Sequence, residues 1–242
     1  MTNDKLAILI TASIYLLNGC GGGGGSPGPI ASTYSFPFAQ AFAAQAAAGR
    51  NSYFTATQSG TSYCYGGGSL TDAPATTSTT FDITPASAVS AVSAVETLSW
   101  NWVNCLPVTN TTTSTKYYTP GTFVPLGFDS PGVNYGVYLT PPTIPASVRV
   151  GDTGIIGTEN LYADSTEAVS NGRIDGSYFV LADTEASAII YLVGKEYDAS
   201  NTLNSTEQDL WRITAAGVLT PINSTIQYTS GQVTILNILR YY

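Results

Sequence analysis

Between Val148 and Tyr241, strand-length segments rich in β-branched and aromatic residues alternate with turn residues, and this rhythm constrains the fold more than any other feature. The segments are 148–162, 176–183, 186–198, 206–214, 225–228 and 232–241. Asn171-Gly172, Asp198-Ala-Ser-Asn201, Ala216-Gly217 and Ser230-Gly231 punctuate them, residue types that accept tight turns. Strands joined so closely run antiparallel. Ala188-Ile-Ile-Tyr-Leu-Val193 is apolar on both faces and is expected to lie centrally. The chain therefore reads as all-β: an antiparallel β-sandwich or partial barrel with a C-terminal meander over 146–242 and one short helix near the mature N-terminus.

That helix is Phe-Ala-Gln-Ala-Phe-Ala-Ala-Gln-Ala-Ala-Ala, residues 38–48, stopped by Gly49. Phe38, Ala41, Phe42 and Ala46 form a stripe that packs on the sheet. Residues 31–140 make a β-rich N-terminal subdomain, and the prolines at 141, 142 and 145 mark its boundary. Cys64 falls late in a strand or hairpin that Gly66-Gly-Gly68 is expected to end. Near the end of a strand, Leu98, Trp100 and Trp102 share one face, with Val103 and Cys105 on the other. Thr109-Asn-Thr-Thr-Thr-Ser-Thr115 reads as an exposed loop or edge.

The N-terminus has a different logic. The apolar run 6–17 is too short for the roughly 20 residues of a bilayer-spanning helix and reads as the core of a signal peptide covering 1–19. Leu17-Asn18-Gly19-Cys20 then resembles a bacterial lipobox, in which the cysteine is acylated and becomes the first residue. Asn18 departs from the small apolar residue usual there; an ordinary secretory signal with Cys20 as a thiol is the alternative. Lipid on Cys20 explains the five glycines that follow. Residues 20–30 become a leash, with an end-to-end distance of about 15–20 Å. The implied partner is a lipid bilayer, reached through acylated Cys20.

Cysteine pairing follows from that compartment. Cys64 and Cys105 remain for a disulfide, which in the chain-entropy model adds about 4 kcal/mol. Free thiols or a redox pair are the alternatives, although a redox site more often shows Cys-x-x-Cys. A net charge of −8 with only 8 Lys and Arg speaks against nucleic acid as a partner.

Catalysis finds little foothold. There is no histidine, so Ser-His-Asp and Cys-His chemistries are excluded. Asp152-Thr153-Gly154 matches the aspartic-protease tripeptide but occurs once, and a turn or bulge explains it. The glycines at 151, 154 and 157 do not form a dinucleotide fingerprint. Glu207 and Asp209 lie on one strand face, roughly 6.5–7 Å apart, a spacing usable by a glycosidase; with Arg212 nearby they read as a solvated face with a cross-strand ion pair. Asp164, Asp175 and Asp183 make no calcium loop. No catalytic residue, metal site or cofactor is assigned. Trp100 and Trp102 are candidate ligand-binding residues, since paired indoles stack sugars, although filling a core is their commoner use.

The cysteine with its five glycines, the later cysteine pair, the run from Leu126 through Pro141-Pro-Thr-Ile-Pro145 to Gly154, and Thr206-Glu-Gln-Asp-Leu-Trp-Arg-Ile-Thr-Ala-Ala-Gly217 together resemble a group of proteobacterial outer-membrane lipoproteins with a glycine-rich tether. Gly21, a non-acidic residue after the cysteine, implies the outer membrane by the same resemblance. No activity travels with it. The sequence therefore points to a membrane-anchored envelope lipoprotein with a non-catalytic binding or structural β-domain, its partner an envelope protein or glycan. The alternative is a carbohydrate-binding module or a carboxylate-based glycan hydrolase.

Overall fold

A computed structural model describes residues 29–60, 63–103 and 109–241. The proposed signal peptide, Cys20, most of the leash and Cys105 lie outside them. The helix α1 spans Phe38–Ala48, with the bounds expected from its alanines and Gly49. Thirteen strands follow among the described residues: β1 Arg50–Ser59, β2 Cys64–Asp72, β3 Thr77–Thr84, β4 Ser87–Trp102, β5 Thr109–Tyr118, β6 Pro125–Ser130, β7 Asn134–Val137, β8 Thr153–Tyr162, β9 Ser170–Thr184, β10 Ser187–Tyr197, β11 Leu203–Thr214, β12 Leu219–Tyr228 and β13 Val233–Tyr241.

All pairings are antiparallel, and the fold is all-β. It goes beyond a sandwich or partial barrel, because the sheet closes. β1 pairs with β13, and β2 pairs with the second half of β4, Glu96–Trp102. Twelve strands thus form a complete barrel, with β3 the extra strand. The first half of β4 extends beyond its β5 pairing and carries β3 on its edge. This hairpin packs on the outer wall, where Phe81 stacks between Tyr117 and Tyr135 at ring-centroid distances of 4.5 and 5.3 Å. The proline-rich segment connects β7 to β8, which pair with each other, so the residues before and after it belong to one continuous sheet.

Three local expectations change. Gly66-Gly-Gly68 does not end a strand; β2 runs through it, paired on both sides. The strands approach so closely that a Cβ at Gly68 would lie 1.9 Å from the Ser99 carbonyl oxygen, and opposite these glycines stand Trp100 and Trp102. Thr109-Asn-Thr-Thr-Thr-Ser-Thr115 is not a loop but the start of β5, paired along its length with β4 and reaching β6 only at Thr115. Asn171-Gly172 is not a turn but a bulge within β9, where Gly172 adopts φ +121.

α1 lies across one end of the barrel. It starts where Pro37 touches Gly217, between β11 and β12, and finishes where Ala75 N donates to Ala46 O, between β2 and β3. Phe38 and Ala41 enter a core with Ile190, Trp211 and Ile213, while Phe36 is bonded in both directions to Val148. A second cluster inside the barrel holds Phe54, Leu70, Leu98 and Trp100. These two clusters supply the apolar part of the inner wall. The outer wall of β4 and β5 carries Thr97, Ser99, Thr111 and Thr113, with Ser99 Oγ and Thr111 Oγ1 3.0 Å apart. Among the described residues no helix is long and apolar enough to cross a membrane.

Gly68→Ala is expected to destabilise the protein by about 1–3 kcal/mol, because the β2–β4 backbones must separate to admit a methyl group. Denaturant midpoints of the two proteins check this.

Candidate functional site: a charged ring and cavities inside the barrel

Strand alternation sends every second side chain inward, and near the α1 end four of these are charged. Arg50 on β1 faces Asp72 on β2, which faces Glu96 on β4, while Lys116 on β5 pairs with Ala94, two residues before Glu96 and on the same face. Arg50 Nε is 2.5 Å from Asp72 Oδ2, and Arg50 Nη2 donates to Glu96 Oε2 at 3.0 Å. Lys116 Nζ reaches the same two acids, at 3.3 Å from Asp72 Oδ1 and 2.5 Å from Glu96 Oε2. Two cations and two anions therefore close a ring. The Arg50 guanidinium also sits 5.5 Å from the centroid of Trp211.

Burial alone would push Asp72 up and Lys116 down. Their mutual attraction, with Arg50 and Glu96, outweighs it: Asp72 falls to about 2 and Lys116 rises above its ordinary value. Asp72 and Lys116 thus hold their charges.

The same wall carries more acid than these cations balance. Glu207 and Asp209 on β11 point inward with Trp211 and Ile213, and Glu207 is 1% exposed. Neither oxygen of Glu207, nor Oδ1 of Asp209, has a hydrogen-bond partner among the described residues. Burial raises both acids well above the carboxylate range; the Asp209 charge adds to the effect on Glu207, while Arg50 opposes it on Asp209. Glu159 on β8 is also buried, and burial lifts it to about 8 against the pull of Lys116. In all three acids burial favours the protonated form.

This overturns the solvated-face reading of Glu207 and Asp209. They share a face as expected, but it is the barrel interior. Arg212 lies on the opposite face, where its Nε donates to Asp183 Oδ2 at 2.6 Å. Alternation reveals which residues share a face; closure decides which face is inside.

Two neighbouring cavities occupy the lumen. The larger, about 260 Å³, is lined by Phe42, Lys116, Tyr118, Phe128, Tyr138 and Glu159, with Thr112, Ser114 and Asn134 adding hydrogen-bonding groups. The smaller, about 160 Å³, lies under α1 between Gln45, Arg50, Asp72 and Asp209. Phe42, Lys116 and Tyr118 line both.

The other residues singled out in the sequence lie elsewhere. Trp100 is buried and Trp102 half-buried against it, so the indoles fill the core and present no exposed sugar platform. Cys64 is buried at the start of β2. Asp152 closes the turn before β8, where its Oδ2 accepts from Arg149 N at 2.8 Å; the protease-like tripeptide runs from that turn into β8. Asp164 accepts from Thr166 N, Asp175 pairs with Arg173, and Asp183 with Arg212, so the three aspartates are engaged separately. Among the described residues no group of three or more His, Cys, Asp or Glu could hold a metal.

Sequence reasoning passed over Arg50, Asp72, Glu96, Lys116 and Glu159. A signal existed in Glu96-Thr-Leu-Ser-Trp100, where the glutamate is in phase with Leu98 and Trp100. No family model, curated protein or solved structure matches the chain.

Two outcomes follow. Arg50→Met leaves Asp72 and Glu96 short of a cation and should cost about 3–5 kcal/mol, with Arg50→Met/Asp72→Asn recovering part of it; urea titrations measure both. Glu159 titrates higher in the folded than in the unfolded chain, so its contribution weakens stability as pH rises from about 4.5 towards 8. Asp72 acts oppositely, its contribution fading as pH falls from about 4 to 2. Glu159→Gln should flatten the decline of Tm between about pH 5 and 8 and leave the acid limb unchanged.

Proposed function

We propose that the chain is an envelope lipoprotein, tethered to the outer membrane through acylated Cys20, whose barrel binds a small amphipathic ligand in its interior without chemically changing it. The cavity of about 260 Å³ carries this reading. It combines aromatic walls with a few polar groups from Ser114, Lys116, Asn134 and Glu159, the pattern of a small-molecule site. Non-catalytic binding is preferred because Glu207 and Asp209 stand side by side on one strand instead of flanking a substrate.

The tether reading rests on the short apolar run, the lipobox-like residues and the five glycines, together with the resemblance to tethered proteobacterial lipoproteins. The described chain begins at the α1 end, where Ile30 pairs with Asp183 and Ser32 Oγ donates to Glu185 O. A leash would therefore attach there. A disulfide between Cys64 and Cys105 belongs to the same proposal. In support of it, the β2–β4 ladder reaches Gly66 opposite Trp102, and Val103 N donates to the carbonyl of Tyr65, the residue after Cys64.

Mass spectrometry of the protein extracted from native membranes tests both parts. Expected are a denatured mass that starts at Cys20 with added acyl groups and gains two hydrogens on reduction, and a native mass with a small-molecule adduct that Thr112→Phe removes. An unmodified chain in the soluble fraction would overturn the tether; an adduct-free native spectrum would overturn lumenal binding.

A further inference from the structure

We propose that the larger cavity takes a small organic cation, with an ammonium group set against Glu159 between aromatic walls. This rests on reading the lumen as a ligand site, and adds the chemical class of the ligand.

Charge balance is the first support. Both lumenal cations are occupied, since Arg50 and Lys116 each contact Asp72 and Glu96. Glu159 is 7% exposed, lines the cavity, and makes no ion pair or side-chain hydrogen bond among the described residues. A buried carboxyl with no counter-charge stays neutral or awaits one.

The walls give the second support. Phe42, Tyr118, Phe128 and Tyr138 surround the same space, and aromatic rings attract ammonium groups most strongly where water is excluded. A metal cation fits poorly, because hard cations take six or more oxygens and no cluster of acids converges there. A volume of about 260 Å³ admits a small ammonium compound.

The surroundings of Glu159 set the pH dependence. Facing it are Lys116 from β5, Glu96 from β4 and Tyr138 after β7, while β9 supplies the apolar Ile174. Its carboxyl sits at about 8, so an ammonium ligand arriving at neutral pH must displace a proton. Affinity therefore rises with pH, by up to about tenfold per unit, and levels off above about 8.

The test is calorimetry on the whole protein with choline and benzylammonium, each beside its neutral isostere, 3,3-dimethylbutanol and benzyl alcohol, at about pH 6.5 and about pH 8.5. At least one ammonium probe is expected to bind at least about tenfold more tightly than its isostere, with affinity rising between the two pH values and a proton released at the lower. Glu159→Gln copies the shape of the protonated side chain; it should fold and lose both the preference and the pH dependence. If the isosteres bind as well as the ammonium probes, or if Glu159→Gln leaves the preference intact, the cation inference fails and the cavity remains a ligand site. If no probe binds the unsubstituted protein, the cation inference fails, and the native mass spectrum decides separately whether the lumen is a ligand site.

Discussion

The pairing of β2 with the second half of β4 is the contact on which the rest depends. Without it the strands would form one open sheet, and neither face would be enclosed. With it, alternate residues of twelve strands are committed to an interior. That interior is wide, since barrel diameter grows with strand number, and strand side chains leave it partly unfilled. α1 enters one end with Phe38 and Ala41, and a cluster around Trp100 fills another part. The cavities lie where neither reaches.

Closure also dictates the electrostatics. Arg50, Asp72, Glu96 and Lys116 would be ordinary surface pairs on an open sheet, worth little. Enclosed, they form a neutral ring whose members can be removed only at the cost of stranding a charge. For three further lumenal acids, Glu159, Glu207 and Asp209, burial outweighs the pull of those cations and favours the neutral form. Enclosure thus pushes carboxyl groups of one interior in opposite directions, Asp72 down and Glu159, Glu207 and Asp209 up, and the divide follows the position of two cations.

Much of this architecture was legible in local patterns. The alanine-rich helix and its glycine stop were visible as written, as were most strands of the meander, because propensity and turn chemistry act over a few residues. Gly66-Gly-Gly68 and the threonines of β5 were not, because each is held in a strand by its partner in β4, which overrides local preference. Glu207 and Asp209 show the limit most clearly. Their phase with Trp211 and Ile213 was present in the sequence, and it marked the apolar side. Their charge argued for solvent, and only closure settles that conflict in favour of phase. Of the candidate site, therefore, the two acids were visible and their surroundings were not.

The N-terminal attachment has a mechanical consequence. Before α1 the chain is held by the bridge from Ile30 to Asp183 and by the paired hydrogen bonds between Phe36 and Val148. A pull on residue 29 loads these few bonds one after another, as in peeling, and spares the long strand ladders, which would share the load. The next element to yield is α1, whose Phe42 borders both cavities. Tension applied there would uncover the lumen well before it unravelled the barrel.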